Sequence, residues 1–586
     1  MSSRLALLYA KFLSRSRIVA DPATRKSAYA ISKNERLVTS VIFVGIILLK
    51  LICAVNYRID SDESQHLHVV WSWTQGMLPY RDVFDNHSPL FQLLVAPLFY
   101  FLGERPDILI PMRVAMIPLF IVSLWLVRKI GTTVFGPRIG LWAAVFTACF
   151  PPFFLTSTEF RPDNLWTVVW LLIVSVIIGS PRKPKTAFLV GLLLGIGFCV
   201  SMKSVLMLFS IACALSTAWT FCGMREAFFD WKNFGTCCLC ACIGLIPAPA
   251  IAALYFVLHG SASELYQCVV SHNVLPGKLT IINLVVDALR WLSIVSAPIF
   301  ISVRIYRRTG LHDRKESGGW LFIHFVTVYY FATLKSFWQF LTAEDFLPFY
   351  PLLMVILTGA LFAGMDYLKS RVASIGGFLP IVLATASVVF LLIISSPFEN
   401  QTKEKLGIVA DTLRLTTSDD FVMDSKGETI FRRRASRLVF EEITGLRLKR
   451  ALMQDDIVDR LIATGAPVAS LLRMPSEASK FIRRNYVPIA FRLRVLGQFL
   501  QFENEADAFN FDIVIPADYS ILAENGAVAG TLNDEPWIGP RVLNAGHYCF
   551  RRTSGEGRLA LIWTRAVKNG YTPFAEVKSD SRDEQD

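Results

Sequence analysis

Residues 37–55 read LVTSVIFVGIILLKLICAV, nineteen residues interrupted by a single charge, Lys50. A helix needs about 20 mostly apolar residues to cross the hydrocarbon core of a bilayer. The 36 residues before this run hold eight basic side chains, Arg4, Lys11, Arg15, Arg17, Arg25, Lys26, Lys33 and Arg36. That head is too long and too polar for a typical signal peptide, so the run reads as an uncleaved first span with a cytoplasmic N-terminus. Further apolar runs lie near 107–127, 139–155, 164–180, 186–202, 204–221, 236–258, 283–303, 319–337, 346–364 and 376–396. About eleven transmembrane helices are therefore expected.

Every second connection between these runs is basic. The clusters are Arg128, Lys129 and Arg138; Arg182, Lys183 and Lys185; Arg225 and Lys232; Arg304, Arg307, Arg308, Arg314 and Lys315; and Lys369 with Arg371. With the head, 23 of the 33 basic residues before 396 fall on one side, which the positive-inside rule makes the cytoplasm. The apolar stretch 89–103, PLFQLLVAPLFYFLG, is only 15 residues long and contains Pro97. Counting it as a span would put the next four basic clusters outside, so it reads as a helix dipping into the interface. The same parity places residues 397–586 outside the cytoplasm, in the periplasm or cell exterior of a bacterium.

Composition agrees with a membrane chain. Only 18% of the 586 residues are charged, against about 25% in soluble proteins, which excludes an ordinary cytosolic enzyme. Up to residue 396 there are 33 basic and 20 acidic residues, and after it 26 and 27, so the excess positive charge sits in short clusters between apolar runs. A nucleic-acid binder would concentrate it on a soluble domain. Ten of the eleven cysteines precede residue 270, mostly inside apolar runs, where they read as small hydrophobes rather than disulfides or zinc ligands.

After residue 396 the texture changes. FVMD (421–424), FDIVIP (511–516), YSILAENG (519–526) and RLALIW (558–563) read as strands, 452–465 and 475–486 as helices. Glu524-Asn525-Gly526 and Ser554-Gly555-Glu556-Gly557 read as turns, and the last hundred residues look antiparallel. The expected architecture is thus a polytopic α-helical membrane domain, 37–396, carrying a large first outward loop, 56–106, and followed by a mixed α/β, partly antiparallel soluble domain, 397–586. Trp537, Tyr548 and Trp563 read as its core rather than as sugar platforms.

Charged groups at a membrane edge are costly without a partner or a task, and they gather in two outward loops. The first holds Asp60, Asp62, Glu63, Asp82 and Asp85 with Arg58, Arg81, His66, His68 and His87. Its part from Asp62 to Gly76 reads as an interfacial helix begun by Asp62, with Trp71 and Trp73 at headgroup depth. The second, LTSTEFRPDN, packs Glu159, Arg161 and Asp163 into five residues. Carboxylates converging at a membrane surface suit proton abstraction. Equally, Asp62 caps a helix, Arg161 pairs with a neighbouring acid, and the rest is solvated loop; spacing alone leaves both readings open.

The order of these motifs resembles the GT-C class of membrane glycosyltransferases, in the branch similar to bacterial protein O-mannosyltransferases and lipid A aminoarabinose transferases. The resemblance rests on Asp62-Glu63 outside the first span, G-x-x-P-Y-R-D at 76–82, and His87-Ser88-Pro89-Leu90. It continues through Asp163 in the second outward loop, Lys203 after the fifth span and L-P-x-x-P-L-L at 347–353. It covers roughly residues 37–396. It implies an inverting transfer of a sugar from a polyprenyl phosphate donor to the hydroxyl of a glycan, lipid or protein acceptor. Asp62 is then the general base, Glu63 its support and Asp163 a second acid. Lys203, Lys278 and Arg161 are the cations for the departing phosphate, and Glu159, Asp85, His87 and His272 the remaining substrate contacts. One departure stands out: Glu344-Asp345 occupies a place where relatives carry a basic residue.

Asp60, Asp62, His66 and His68 offer metal-type ligands in one loop, with Asp62 and His66 spaced i,i+4. The pattern is not H-E-x-x-H, and the resemblance implies a mechanism without an essential metal. No cofactor is expected to be required, a divalent cation stays open, and the two histidines read as packing against headgroups. No P-loop or G-x-G-x-x-G occurs on a cytoplasmic segment, which argues against a nucleotide-sugar donor. The competing reading is a transporter or flippase of lipid-linked sugars, with charges near the bilayer midplane; Lys50 and Arg290 are the few candidates there, while the acids crowd one surface. A scaffold that binds lipid-linked sugar without turnover is a third.

Overall fold

The computed structural model describes residues 31–179, 183–222, 233–274, 280–309, 314–338, 340–369, 378–500 and 508–575. The chain divides into two units, Met1–Tyr57 with Asn86–Leu94 and Ile110–Asn400, and Arg58–Asp85 with Val95–Leu109 and Gln401–Asp586.

In the first unit each expected apolar run is helical. Six helices among the described residues are long and apolar enough to cross a membrane: Lys33–Asn56, Leu109–Phe135, Pro162–Gly179, Ser204–Cys222, Phe234–Leu258 and Ile281–Arg307. Shorter apolar helices are Leu90–Leu102, Pro184–Val200, Phe349–Met365 and Leu379–Ser395. The run at 139–155 is divided at Phe150 into Pro137–Cys149 and Pro151–Thr156, because Pro151 is accepted at a first helical position but not in a helix interior. Leu90–Leu102 has 13 residues, which reach only about 20 Å against a core of about 30 Å.

Contacts within this unit sort the helix ends. Asn56, at the close of the first helix, donates to the Pro397 carbonyl at 2.8 Å, so the first and last apolar helices finish together. At the other end of Lys33–Asn56, Glu35 caps the helix with Ser32 and accepts from Arg138 at 2.7 Å and from the Trp142 indole at 3.1 Å. Lys50 is fully buried, and its ammonium donates to the Phe154 carbonyl and the Ser157 hydroxyl, each at 2.6 Å. Loops that the parity of spans assigns to one side, around 157–163, 201–203 and 342–346, meet through ion pairs.

Helices Pro184–Val200 and Phe234–Leu245 approach through glycine. A Cβ on Gly191 would strike the Ala241 carbonyl, one on Gly244 the Phe188 carbonyl, and one on Gly195 would lie 2.5 Å from the Leu245 oxygen. In lipid, where apolar surface gives helices no reason to associate, such backbone proximity supplies the attraction.

The second unit contains a ten-stranded sheet. Its strands are β1 Phe421–Met423, β2 Arg433–Arg434, β3 Val468–Ala469, β4 Tyr486–Ala490, β5 Leu493–Leu500, β6 Ala508–Ile513, β7 Ala517–Leu532, β8 Glu535–Pro536, β9 Arg541–Leu543 and β10 Gly546–Trp563. The order is β2-β1-β3-β5-β10-β7-β8, with β4 on β5, β6 on β10 and β9 on β7. β1 pairs in parallel with β2 and β3; the other pairings are antiparallel. Helices Ile457–Thr464 and Ser476–Asn485 lie within or near the expected stretches. The two expected turns do not form. Glu524-Asn525-Gly526 lies inside β7 and Ser554–Gly557 inside β10, where register shifts absorb the irregular backbone as bulges. Trp563 is buried, and Trp537 and Tyr548 pack partly buried on the same core.

Gly191→Ala and Gly244→Ala are expected to lower the melting temperature in detergent by several degrees, an overpacking cost of about 1–3 kcal/mol. Gly235→Ala, with nothing within 4 Å of its added carbon, is expected to leave it unchanged. Equal melting of all three would refute the close approach.

Candidate functional site

In the second unit the acidic pair after the first span sits at the start of helix Ser61–Thr74. Asp60, not Asp62 as the sequence suggested, caps this helix: its carboxylate accepts from the Asp62 amide at 3.0 Å, and Glu63 reaches back to the Asp60 amide at 2.9 Å. This reciprocal box satisfies donors that a helix start leaves open. It fixes Glu63, which is fully buried, as a structural partner of the cap. Asp62 is relieved of capping, and its carboxylate forms an ion pair with Lys426, with side chains 19% and 6% exposed.

Lys426 comes from a tight loop of the C-terminal domain. Asp424 holds that loop by accepting from the amides of Gly427 and Thr429, both at 2.8 Å, and from Arg434 Nε at 2.8 Å. The Lys426 amide donates to Glu428 at 2.8 Å. Burial works against the Asp424 charge, yet Arg434, Thr429 and His68 together keep its pKa below the ordinary value. Gly427 has φ +84°, and a Cβ there would stand 2.8 Å from the His68 Cβ, so only glycine lets the loop close on the helix.

His68 is buried, with Nδ1 2.8 Å from the Ile430 carbonyl and its ring stacked on Trp71. The Trp71 indole donates to Glu104 at 3.1 Å, and Glu104 also receives Arg432 at 2.9 Å. Residues Glu63 to Ser72 are buried all round by protein atoms alone. The sequence reading of Trp71, His66 and His68 against lipid headgroups is corrected accordingly: all three are buried among protein atoms, and His68 packs on Gly427 and the Ile430 carbonyl, more than 300 positions later, which periodicity does not reveal.

In the first unit the loop around 157–163 becomes the centre of a charge cluster. Arg161, 3% exposed, lies 3.1 Å from Glu159, 3.7 Å from Asp163 and 2.5 Å from Glu344. Lys203 lies 3.7 Å from Asp163 and pairs with Asp345. Asp163 thus stands between both cations. Asp345 is fully buried and accepts from the Thr342 amide and hydroxyl at 2.9 and 3.0 Å. Burial alone would depress the Lys203 pKa, but Asp345, Asp163 and Glu344 outweigh it and hold the ammonium charged. Trp166, whose indole donates to Ser204 at 3.0 Å, fixes the start of the helix behind Lys203. The Glu344-Asp345 departure therefore acquires a physical meaning: both acids are partners of the cations expected at phosphate.

Asp85 is buried in the second unit, while His87 is partly buried and His272 buried in the first. Asn273 ties their neighbourhoods by donating to the Asn86 carbonyl at 2.9 Å. Lys278 lies outside the described residues. Among the described residues no group of three or more His, Cys, Asp or Glu is placed to hold a metal ion. Sequence reasoning missed Lys426, 364 positions from Asp62, and nothing in Ser425-Lys426-Gly427 announces it.

Residues 86–229 match the dolichyl-phosphate-mannose-protein mannosyltransferase family. By structure the chain is similar to ArnT from Cupriavidus metallidurans in the apo state, at 12% identity and TM-score 0.50, covering 78% of this chain and 97% of that one. The same protein bound to undecaprenyl phosphate gives 11% identity, the same coverage and the same TM-score. The chain has the GT-C fold. An oligosaccharyltransferase, AglB from Archaeoglobus fulgidus, in complex with an inhibitory peptide and a dolichol-phosphate, follows at 10% identity and TM-score 0.41, covering 80% and 74%. No curated protein matches the chain by sequence. With its apolar helices, this GT-C chain is a multi-pass membrane protein.

His68 provides a pH test of the second unit. Burial, assisted by Arg434, lowers its pKa from 6.5, and Asp424 and the Ile430 carbonyl offset this only in part. The unfolded chain therefore binds the proton more readily, so this contribution to stability is present above pH 6.5 and is lost as the pH falls toward the folded value. The melting temperature of the parent is expected to drop more steeply between pH 7 and 5 than that of His68→Gln; parallel curves would refute the assignment.

Proposed function

We propose that this chain is an inverting glycosyltransferase that moves a sugar from a polyprenyl phosphate to an acceptor hydroxyl at the outer face of a bacterial cytoplasmic membrane. On this reading the N-terminus is cytoplasmic and the C-terminal domain periplasmic or extracellular. The observation that carries it is the Asp62 carboxylate, released from capping by Asp60 and held by a nearly buried ammonium. Support comes from the match of residues 86–229 to a family named for a dolichyl-phosphate sugar, and from the ArnT fold, which has been captured with undecaprenyl phosphate.

The chemistry follows from these groups. A carboxylate has about four lone-pair sites, so Lys426 leaves others for a substrate hydroxyl. Asp62 takes the acceptor proton as the oxygen attacks the anomeric carbon opposite the phosphate. The carbon to phosphate-oxygen bond breaks, polyprenyl phosphate departs, and the configuration inverts. General-base assistance of this kind is worth about 100- to 10,000-fold. Glu63 keeps the cap closed beneath the base, and Asp163 is the second acid. Growing charge on the leaving phosphate calls for cations, for which Lys203, Arg161 and Lys278 are assigned. Lys203 and Arg161 already face four carboxylates, Glu159, Asp163, Glu344 and Asp345. A lipid phosphate would have to displace a carboxylate from each. Glu159, Asp85, His87 and His272 are the proposed remaining substrate contacts. No metal is required by this scheme.

Comparison of envelope glycolipids and polysaccharides by mass, with and without the gene, is expected to identify the sugar and acceptor. With that pair in hand, Asp62→Asn is expected to cut turnover by at least about 100-fold while the protein still inserts and folds, with a lowered melting temperature because Lys426 loses its counter-charge. Near-normal turnover would remove Asp62 as base. Lys203→Ala is expected to raise the KM for the lipid donor more than that for the acceptor; equal increases would count against a phosphate role.

A further inference from the structure

The second unit holds a cavity of about 460 Å³, within the range of small-molecule sites. Arg433, Arg434, Arg437, Asp82, Phe84 and Phe421 are among the residues that line it. The sequence Arg432-Arg433-Arg434-Ala435-Ser436-Arg437 supplies four guanidinium groups, and they divide by task. Arg432 is committed to Glu104 and Thr416, the latter at 2.8 Å from its Nε. Arg434 is committed to Asp424 and to the Asp424 carbonyl at 2.5 Å. Arg433 and Arg437 are exposed. Among the described residues the Arg437 guanidinium makes only long contacts, 3.3 and 3.4 Å, to the carbonyls of Tyr80 and Arg81, and the Arg433 side chain forms no hydrogen bond or ion pair.

The one acid in the lining, Asp82, feels Arg433 electrostatically but brings a single negative charge against the two positive ones of Arg433 and Arg437. Asp82 is already occupied by Arg81, at 2.8 and 3.0 Å, and by the Leu78 amide at 2.8 Å. Those bonds fix the turn in which Tyr80, a buried non-glycine residue at φ +72°, presents its carbonyl to Arg437. The parallel pairing of β1 and β2 places Phe421 beside Arg433. Two guanidinium groups thus share a cavity whose other walls include aromatic carbon. Their planar forks match carboxylate or phosphate oxygens, and ring faces suit the apolar face of a sugar.

We propose that this cavity binds an anionic sugar, phosphorylated or carboxylated, belonging to the acceptor. The acceptor role rests on the transferase reading above; the binding does not. The test uses the full chain in detergent and calorimetric titration with glucose 1-phosphate, glucuronate, glucose and inorganic phosphate. At least one anionic sugar is expected to bind ten times or more tighter than glucose and tighter than inorganic phosphate, and which of them does so names the anion. Arg433→Ala/Arg437→Ala is expected to lose that preference with an unchanged melting temperature. Affinity of both anionic sugars no better than that of glucose, binding of inorganic phosphate as tight as that of the tighter-binding anionic sugar, or full binding by the double variant would overturn the proposal. Asp62→Asn protein is expected to bind the same probes normally. Absence of sugar transfer by the parent protein would defeat the transferase reading, and an active Asp62→Asn enzyme the base assignment alone; either would leave the cavity's preference standing.

Discussion

The ion pair between Asp62 and Lys426 is the constraint on which the second unit's candidate site depends. Two charges this far from solvent are each costly alone, and removing one partner leaves the other uncompensated. The pair ties a helix that follows the first span to a loop of the C-terminal domain, and Gly427 against His68 and the Ile430 carbonyl on the same histidine complete the clasp. The C-terminal domain thereby contributes to the environment of the proposed base.

The first unit reaches the same end with different means. Its cluster is rich in acid, and each cation serves more than one carboxylate, so Asp163 is oriented from two directions. Lys50 adds support from within a span: bound to the Phe154 carbonyl and the Ser157 hydroxyl, it anchors the approach to that loop rather than lining a path for ions. This weakens a transport reading, in which mid-span charge would be available to cargo.

Much of the fold was legible because lipid imposes a simple rule. Apolar runs marked the helices, and the parity of basic loops grouped the segments that the ion pairs bring together. Contacts that join distant segments left less trace. Asp60 and Asp62 are both competent caps, and only the reciprocal bond from Glu63 decides between them. Glu344-Asp345 looked anomalous because its partners, Arg161 and Lys203, lie more than 140 positions away. The glycines of β7 and β10 carry the composition of turns, but long-range pairing of two extended strands overrode it. Lys426 had no local pattern at all.

The most direct test of this account is the turnover of Lys426→Ala and Lys426→Arg beside the parent, with the same lipid-linked sugar and acceptor, each at saturating donor. If the C-terminal domain positions the base, Lys426→Ala loses about ten- to a hundredfold in kcat, as a small misplacement of a catalytic group does, and Lys426→Arg recovers most of it at equal thermal stability. Parental turnover by Lys426→Ala would contradict the account.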